Sequence, residues 1–150
     1  MELEEAISKR KSIRHYKEGE VTKEEIDKLL WAASNVPAAG HIHSLKIYEV
    51  RDFDKKRELC SACLGQKCVE EAQVNLVVVA NYEPIVSRYR RRGYRYALIE
   101  AGHVGQNISL MAVSLGLGCV MIGAFRDNRV KEVLGIKEDP IYVIPVGREK

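Results

Sequence analysis

The stretch from about Tyr96 to Leu115 constrains this chain more than any other. Its apolar residues wrap most of a helical circumference, and Ala101, Gly105, Ser109 and Ala112 make a stripe of small side chains along it. A helix that is apolar on so many sides has to be buried. In a chain of 150 residues few other elements are available to cover it. The pattern predicts a long buried helix, part of whose surface is closed by a second copy of the chain. Glu100, His103, Gln106 and Asn107 interrupt the run, which argues against a membrane span. Gly116-Leu117-Gly118 should end the helix, because glycine is favoured just past a helix C-cap.

The remaining elements are shorter. Residues 2–10 read as a helix with Leu3, Ala6 and Ile7 on one face. Residues 12–20 read as irregular. Thr22-x-x-Glu25 is a capping box, and Ile26, Leu29, Leu30 and Ala33 follow at helical spacing. That helix should stop near Val36, since Pro37 disfavours helical backbone before it. Residues 45–50 alternate as a strand, 54–63 form an amphipathic helix, and the unbroken apolar run 74–80 suits a strand buried on both faces. A strand at 119–122, a helix from Asp127 to Gly135 and a strand at 141–146 complete the chain. The class is α+β: one domain over residues 1–150, with a central mixed or antiparallel sheet flanked by helices.

The charge balance is mild, 24 basic against 21 acidic residues for a net +3, with 46% hydrophobic residues. That describes an ordinary globular protein and gives no general reason to expect nucleic acid or a membrane. The chain opens Met-Glu-Leu-Glu-Glu without an apolar run, so the expectation is a cytoplasmic protein. Cys60-x-x-Cys63-x4-Cys68 could ligate a metal or a cluster, or could be small apolar residues on one helix face. No fourth ligand is evident, and no metal is expected. Arg88, Arg90, Arg91, Arg92 and Arg95 alternate with Tyr89, Tyr94 and Tyr96. Such a segment could stack on single-stranded nucleic acid, bind the anionic part of a small ligand, or cover a site as a lid. Glu100 and His103 could be an acid/base pair, or a polar face against a partner helix, the plainer reading.

Three segments stand in one order: Arg10-Lys11-Ser12-Ile13-Arg14; Pro37-Ala38-Ala39-Gly40-His41-Ile42-His43-Ser44-Leu45; and Arg92-Gly93-Tyr94-Arg95-Tyr96 through His103, Gln106-Asn107, Gly116-Leu117-Gly118 and Ile122-Gly123-Ala124-Phe125. Together they resemble the nitroreductase superfamily. The third is most similar to the branch that includes the dehydrogenases of thiazole/oxazole-modified peptides. The resemblance implies a nitroreductase-like fold with the long helix at the interface of a homodimer. It implies FMN as cofactor and NAD(P)H as co-substrate, with hydride passing through flavin N5 to a nitro compound or quinone.

The resemblance also assigns residues. Arg10 and Ser12, with Lys11 between them, would bind the phosphate. Arg offers phosphate a planar fork. Arg14 would face the N1/C2 edge of the flavin. Ala39, Gly40, His41 and His43 would reach the cofactor from the partner subunit. Met121, Ile122, Gly123 and Ala124 would lay backbone against N5, and Arg148 would add a phosphate contact. Apart from the resemblance, Tyr94 or Tyr96 could serve as a proton donor to the acceptor. His41 and His43 stand where the family often has Asn and Gln, Ser44 where Pro is common, and Gly123 where an acidic residue is common. The chain stops three residues after Gly147, which implies a shorter interface. An FMN-binding relative acting on a modified peptide is the near alternative, and a basic nucleic-acid-binding module the distant one.

Overall fold

The computed structural model describes residues 1–150. Its elements, in chain order, are α1 (Leu3–Lys9), β1 (Tyr16–Lys17), α2 (Lys23–Ser34), a single 3-10 turn (Ala39–His41), β2 (Leu45–Val50), α3 (Phe53–Ala62), α4 (Lys67–Glu71), β3 (Val74–Ala80), α5 (Glu83–Tyr89), α6 (Arg92–Ser114), β4 (Gly118–Cys119), α7 (Asp127–Leu134) and β5 (Asp139–Glu149). The class is α+β, as the sequence predicts.

The sheet is antiparallel throughout, in the order β1-β5-β3-β2, with β4 also paired to β5. The central position of β3 explains its unbroken apolar sequence. All seven of its residues are buried. Val77 and Val79 point into one core with Leu59, Cys63, Val69, Val130 and Val143. Val74, Leu76 and Val78 point into the other with Ile26, Leu29, Val104, Ile108 and Ile144. Side chains of a strand alternate faces, so α3, α4 and α7 cover one side of the sheet and α2 and α6 the other. The capping box forms as read: Glu25 N donates to Thr22 Oγ1, and Thr22 N donates to Glu25 Oε1.

Several expectations change. The 12–20 segment contains a short strand, β1, and 67–71 is a helix. β4 is only two residues long; beyond it Ile122 forms a lone bridge with Val143. The arginine-rich segment leads directly into the long helix, which starts at Arg92 rather than near Tyr96. It is helix α5, a sharp corner, and the first turn of α6. Arg90 sits at φ 56° there, and a Cβ on Gly93 would lie 2.7 Å from the Ile85 carbonyl oxygen.

The long helix is only half buried. Its small-residue stripe faces the chain's own sheet: Ala101, Gly105, Ser109 and Ala112 are all buried, and Gly105 lets Met121 and Tyr142 approach. The opposite face, with Leu98, Ile99, Gly102, His103 and Gln106, is exposed. No helix is long and apolar enough to cross a membrane.

Candidate functional site

α1 stops at Lys9, and the following residues run extended beside β4. Ser12 bridges Cys119 in parallel, and Ile13 N donates to Cys119 O at 3.0 Å. Ile13 is buried against Gly118, where a Cβ would come within 2.7 Å of its side chain. With Ile13 turned inward, alternation turns Ser12 and Arg14 outward, and both are exposed. Arg10 is half-buried. The side chains of Arg10, Ser12 and Arg14 have no hydrogen-bond or ion-pair partner in the chain, whereas Lys11 pairs with Glu149 at 3.0 Å. Two guanidiniums and a hydroxyl thus remain free on one short, backbone-pinned segment.

The 121–124 segment is held just as firmly. Ile122 exchanges backbone hydrogen bonds with Val143 at 2.9 and 3.0 Å. Gln66 Nε2 donates to the Ala124 carbonyl at 2.9 Å, and Arg126 N to the Ala62 carbonyl at 2.9 Å. Met121 is partly buried against α6 at Gly105. Gly123 and Ala124 are exposed, and a Cβ on Gly123 would meet nothing within 4 Å. Nothing inside the chain requires glycine at this position.

The 37–44 loop sits on the N-terminal half of α6. Gly40 and His41 both have positive φ, 59° and 56°. A side chain on Gly40 would strike the Tyr89 hydroxyl at 2.6 Å. Ala38 and Ala39 help line a small hollow with Tyr96, Ile99 and His103. The His41 ring is exposed and unpartnered. His43 is different: its Nδ1 lies 2.9 Å from Glu100 Oε2, while Ser44 N donates to Glu100 Oε1 at 3.1 Å. Glu100 is only 4% exposed. His103 turns to the Pro37 carbonyl at 3.3 Å. Glu100 and His103 are therefore neither an acid/base pair nor one polar face, since the glutamate points inward to the loop. The sequence reading missed the Glu100–His43 pair. The available signal was a carboxylate inside an apolar helix, which needs a partner when buried.

Arg148 is not free to bind phosphate. Its guanidinium donates to both carboxylate oxygens of Glu25 at 2.9 Å and reaches the Leu115 and Gly116 carbonyls. Tyr94 packs on Tyr82, with ring centroids 4.9 Å apart. Tyr96 packs edge-on against Tyr89 at 5.1 Å. Arg88, Arg90, Arg91, Arg92 and Arg95 form no ion pair; Arg91, Arg92 and Arg95 line an open groove of about 770 Å³ with Tyr94, Leu98 and Ile99. Cys60, Cys63, Cys68 and Cys119 are buried free thiols. Burial pushes the Cys63 thiol up to about 12. No group of three or more His, Cys, Asp or Glu residues is placed to hold a metal ion. Cys60, Cys63 and Cys68 pack in one hydrophobic core and Cys119 in the other.

Two clusters thus lie on different parts of the chain: Arg10–Arg14 with 121–124, and the 37–44 loop with Glu100. No hydrogen bond or ion pair links the 10–14 segment to the 37–44 loop.

Comparison with known proteins agrees with this architecture. The Nitroreductase family model matches residues 7–67 and 58–148. A Methanocaldococcus jannaschii protein named as a nitroreductase is 36% identical over 99% of this chain and 92% of its own length. The FMN reductase (NADPH) of Bacillus subtilis is 29% identical, but the chain spans only 61% of its length. The crystal structure of a nitroreductase family protein from Clostridium novyi superposes with a TM-score of 0.91 at 26% identity, over 100% of this chain and 86% of that one. With its antiparallel sheet, its long central helix and these matches along nearly its whole length, the chain belongs to the nitroreductase family.

Proposed function

We propose that this chain is an FMN-dependent NAD(P)H oxidoreductase that works as a homodimer and reduces a small acceptor such as a nitro compound or a quinone. The observation that carries this reading is the free Arg10–Ser12–Arg14 set, pinned beside β4 with every polar head unpaired. Cations held on rigid backbone without a carboxylate partner suit a phosphate-bearing ligand. The open space over Gly123 fits the flat face of a ring system resting on backbone. Relatives named FMN reductase and NADPH-flavin oxidoreductase support the same assignment.

When bound, FMN would supply the two-electron hydride chemistry. The chain's residues do the rest. Arg10 and Ser12 hold the phosphate, with Lys11 flanking them, and Arg14 places positive charge beside the ring edge. Ile122, Gly123 and Ala124, tied to Val143 and Gln66, would offer the ring a rigid stretch of backbone. The loop of Ala39, Gly40, His41 and His43 closes the site from the second copy, which meets the first across the exposed Leu98–Gln106 face of α6. Arg91, Arg92 and Arg95 hold the anionic part of NAD(P)H at the mouth, beside Tyr94 and Tyr96.

The test is direct. Purified protein should carry flavin absorption bands, and FMN should raise its melting temperature. Colourless protein whose melting temperature ignores near-millimolar FMN would sink the reading.

A further inference from the structure

Glu100 is a carboxylate in the middle of an apolar helix, 4% exposed, with both oxygens engaged. One accepts the Ser44 backbone N–H. The other faces His43 Nδ1 at 2.9 Å. His43 itself is half-exposed. A carboxylate that accepts the Nδ1 proton fixes the tautomer and orientation of an imidazole. Nε2 is then the nitrogen left for another molecule. The ring opens on a hollow otherwise lined by Leu30, Ala33, Ser34, Leu45, Ile47 and Val104, none of them ionisable. On α6, His103, about one turn after Glu100, is turned away to Pro37 O, and Tyr96, one turn before it, packs on Tyr89. His43 and Glu100 are thus a carboxylate-oriented imidazole at the edge of a mostly apolar hollow. The same arrangement orients the base histidine of a catalytic triad.

We propose that His43 is the proton-transfer residue of this site and that Glu100 is its positioning residue. The proposal rests on the flavin reading for the source of hydride. Reduction of a quinone to a hydroquinone consumes two electrons and two protons. FMN, when bound and reduced, would supply both electrons and one proton as hydride. The second proton comes from His43: the Nε2–H bond breaks, an O–H bond forms on the quinone, and the imidazole is left neutral with its Nδ1–H on Glu100. Solvent water then returns the proton. Delivery of hydride from NAD(P)H needs no such proton, and neither does an acceptor that takes electrons only.

Stopped-flow measurement on the flavin-loaded protein separates these steps. NADPH or NADH reduces the flavin; a water-soluble quinone or ferricyanide reoxidises it. His43→Ala should slow reoxidation by the quinone about 100-fold, the scale of general acid catalysis. Measured per bound flavin, the quinone step should fall by that factor relative to the ferricyanide and NAD(P)H steps of the same variant. Glu100→Gln keeps the side chain's shape and should slow the quinone step about tenfold. In 15N NMR of the neutral imidazole, wild-type His43 should carry its proton on Nδ1, and Glu100→Gln should mix the two tautomers. Equal slowing with quinone and ferricyanide would make His43 a flavin holder and overturn the assignment, as would no slowing with either. A wild-type Nε2–H tautomer would overturn the role of Glu100 even with flavin bound. Wild-type protein that binds no flavin would instead defeat the flavin reading, a failure visible before any variant is made.

Discussion

Arg148 Nη2 donates to both carboxylate oxygens of Glu25 at 2.9 Å, and so ties the end of β5 to the first turn of α2. Glu25 is also the N3 residue of the capping box, so one carboxylate secures a helix start and the last strand of the sheet. Both side chains are largely buried, 29% and 16% exposed. The pair should therefore be worth more than a surface ion pair, which contributes about 0–1 kcal/mol, and less than a fully buried one. A double-mutant cycle with Arg148→Ala and Glu25→Gln, read by urea unfolding, should give a coupling of about 1–2 kcal/mol. The acid response follows. Burial alone would raise the Glu25 carboxyl, but the Thr22 backbone N–H and the Arg148 guanidinium outweigh it and hold the group below 4.5. Its folded pKa is depressed, so its stabilisation is complete above 4.5 and is lost as pH falls through the folded value. Glu25→Gln should flatten that part of the stability-against-pH curve, and an unchanged curve would refute the linkage.

Much of the fold was legible in the sequence because local rules agree with the tertiary structure. The capping box, Pro37 after α2, and the apolar run of β3 each state their own outcome. The errors arise where the partner of a residue is far along the chain. Arg148 reads as a free cation until Glu25, 123 residues away, is placed beside it. Glu100 reads as part of a polar face on α6, or as a partner of His103, until the loop folds back and brings His43, 57 residues away. The apolar circumference of α6 reads as a helix buried nearly all round, but the chain's own sheet fills only the small-residue side and leaves Leu98 and Ile99 exposed. Periodicity shows that a face is covered, and it does not say by what.

Arg10→Ala should weaken FMN binding by about 1.5–3 kcal/mol, the usual range for a hydrogen bond to a charged group. The structure adds a second expectation. Arg10 has no partner in the chain, so its removal should leave the stability of the FMN-free protein within about 0.5 kcal/mol of wild type. Fluorescence titration with FMN and urea unfolding check the two halves separately. A large loss of stability would mean that Arg10 serves the fold rather than the ligand.

The unpaired arginines at the α5–α6 corner should matter for nicotinamide use rather than folding. Arg92→Glu with Arg95→Glu reverses two charges in the groove that also holds Tyr94, Leu98 and Ile99. The KM for NAD(P)H should rise about 3–10-fold at low salt, with a smaller difference at high salt because exposed charges are screened. The melting temperature should stay close to wild type. Steady-state kinetics at two ionic strengths decide the matter; an unchanged KM removes the groove from the nicotinamide path.

Gly102 offers the sharpest test of how two copies meet. It lies in the interior of α6, and a Cβ there would touch nothing within 4 Å. Glycine inside a helix costs about 0.5–1 kcal/mol relative to alanine. The chain therefore carries a destabilising residue for which its own packing gives no reason. The neighbours on that face are exposed apolar groups, Leu98 at 51% and Ile99 at 48%. A second copy packed closely across this face would account for both features. Gly102→Ala should then raise the stability of each folded chain by up to about 1 kcal/mol while weakening association. Gly102→Arg should convert dimers to monomers in sedimentation velocity and weaken FMN binding along with them, because the 37–44 loop of the second copy would be withdrawn from the site. A variant that stays dimeric with FMN affinity unchanged would place the interface elsewhere on the molecule.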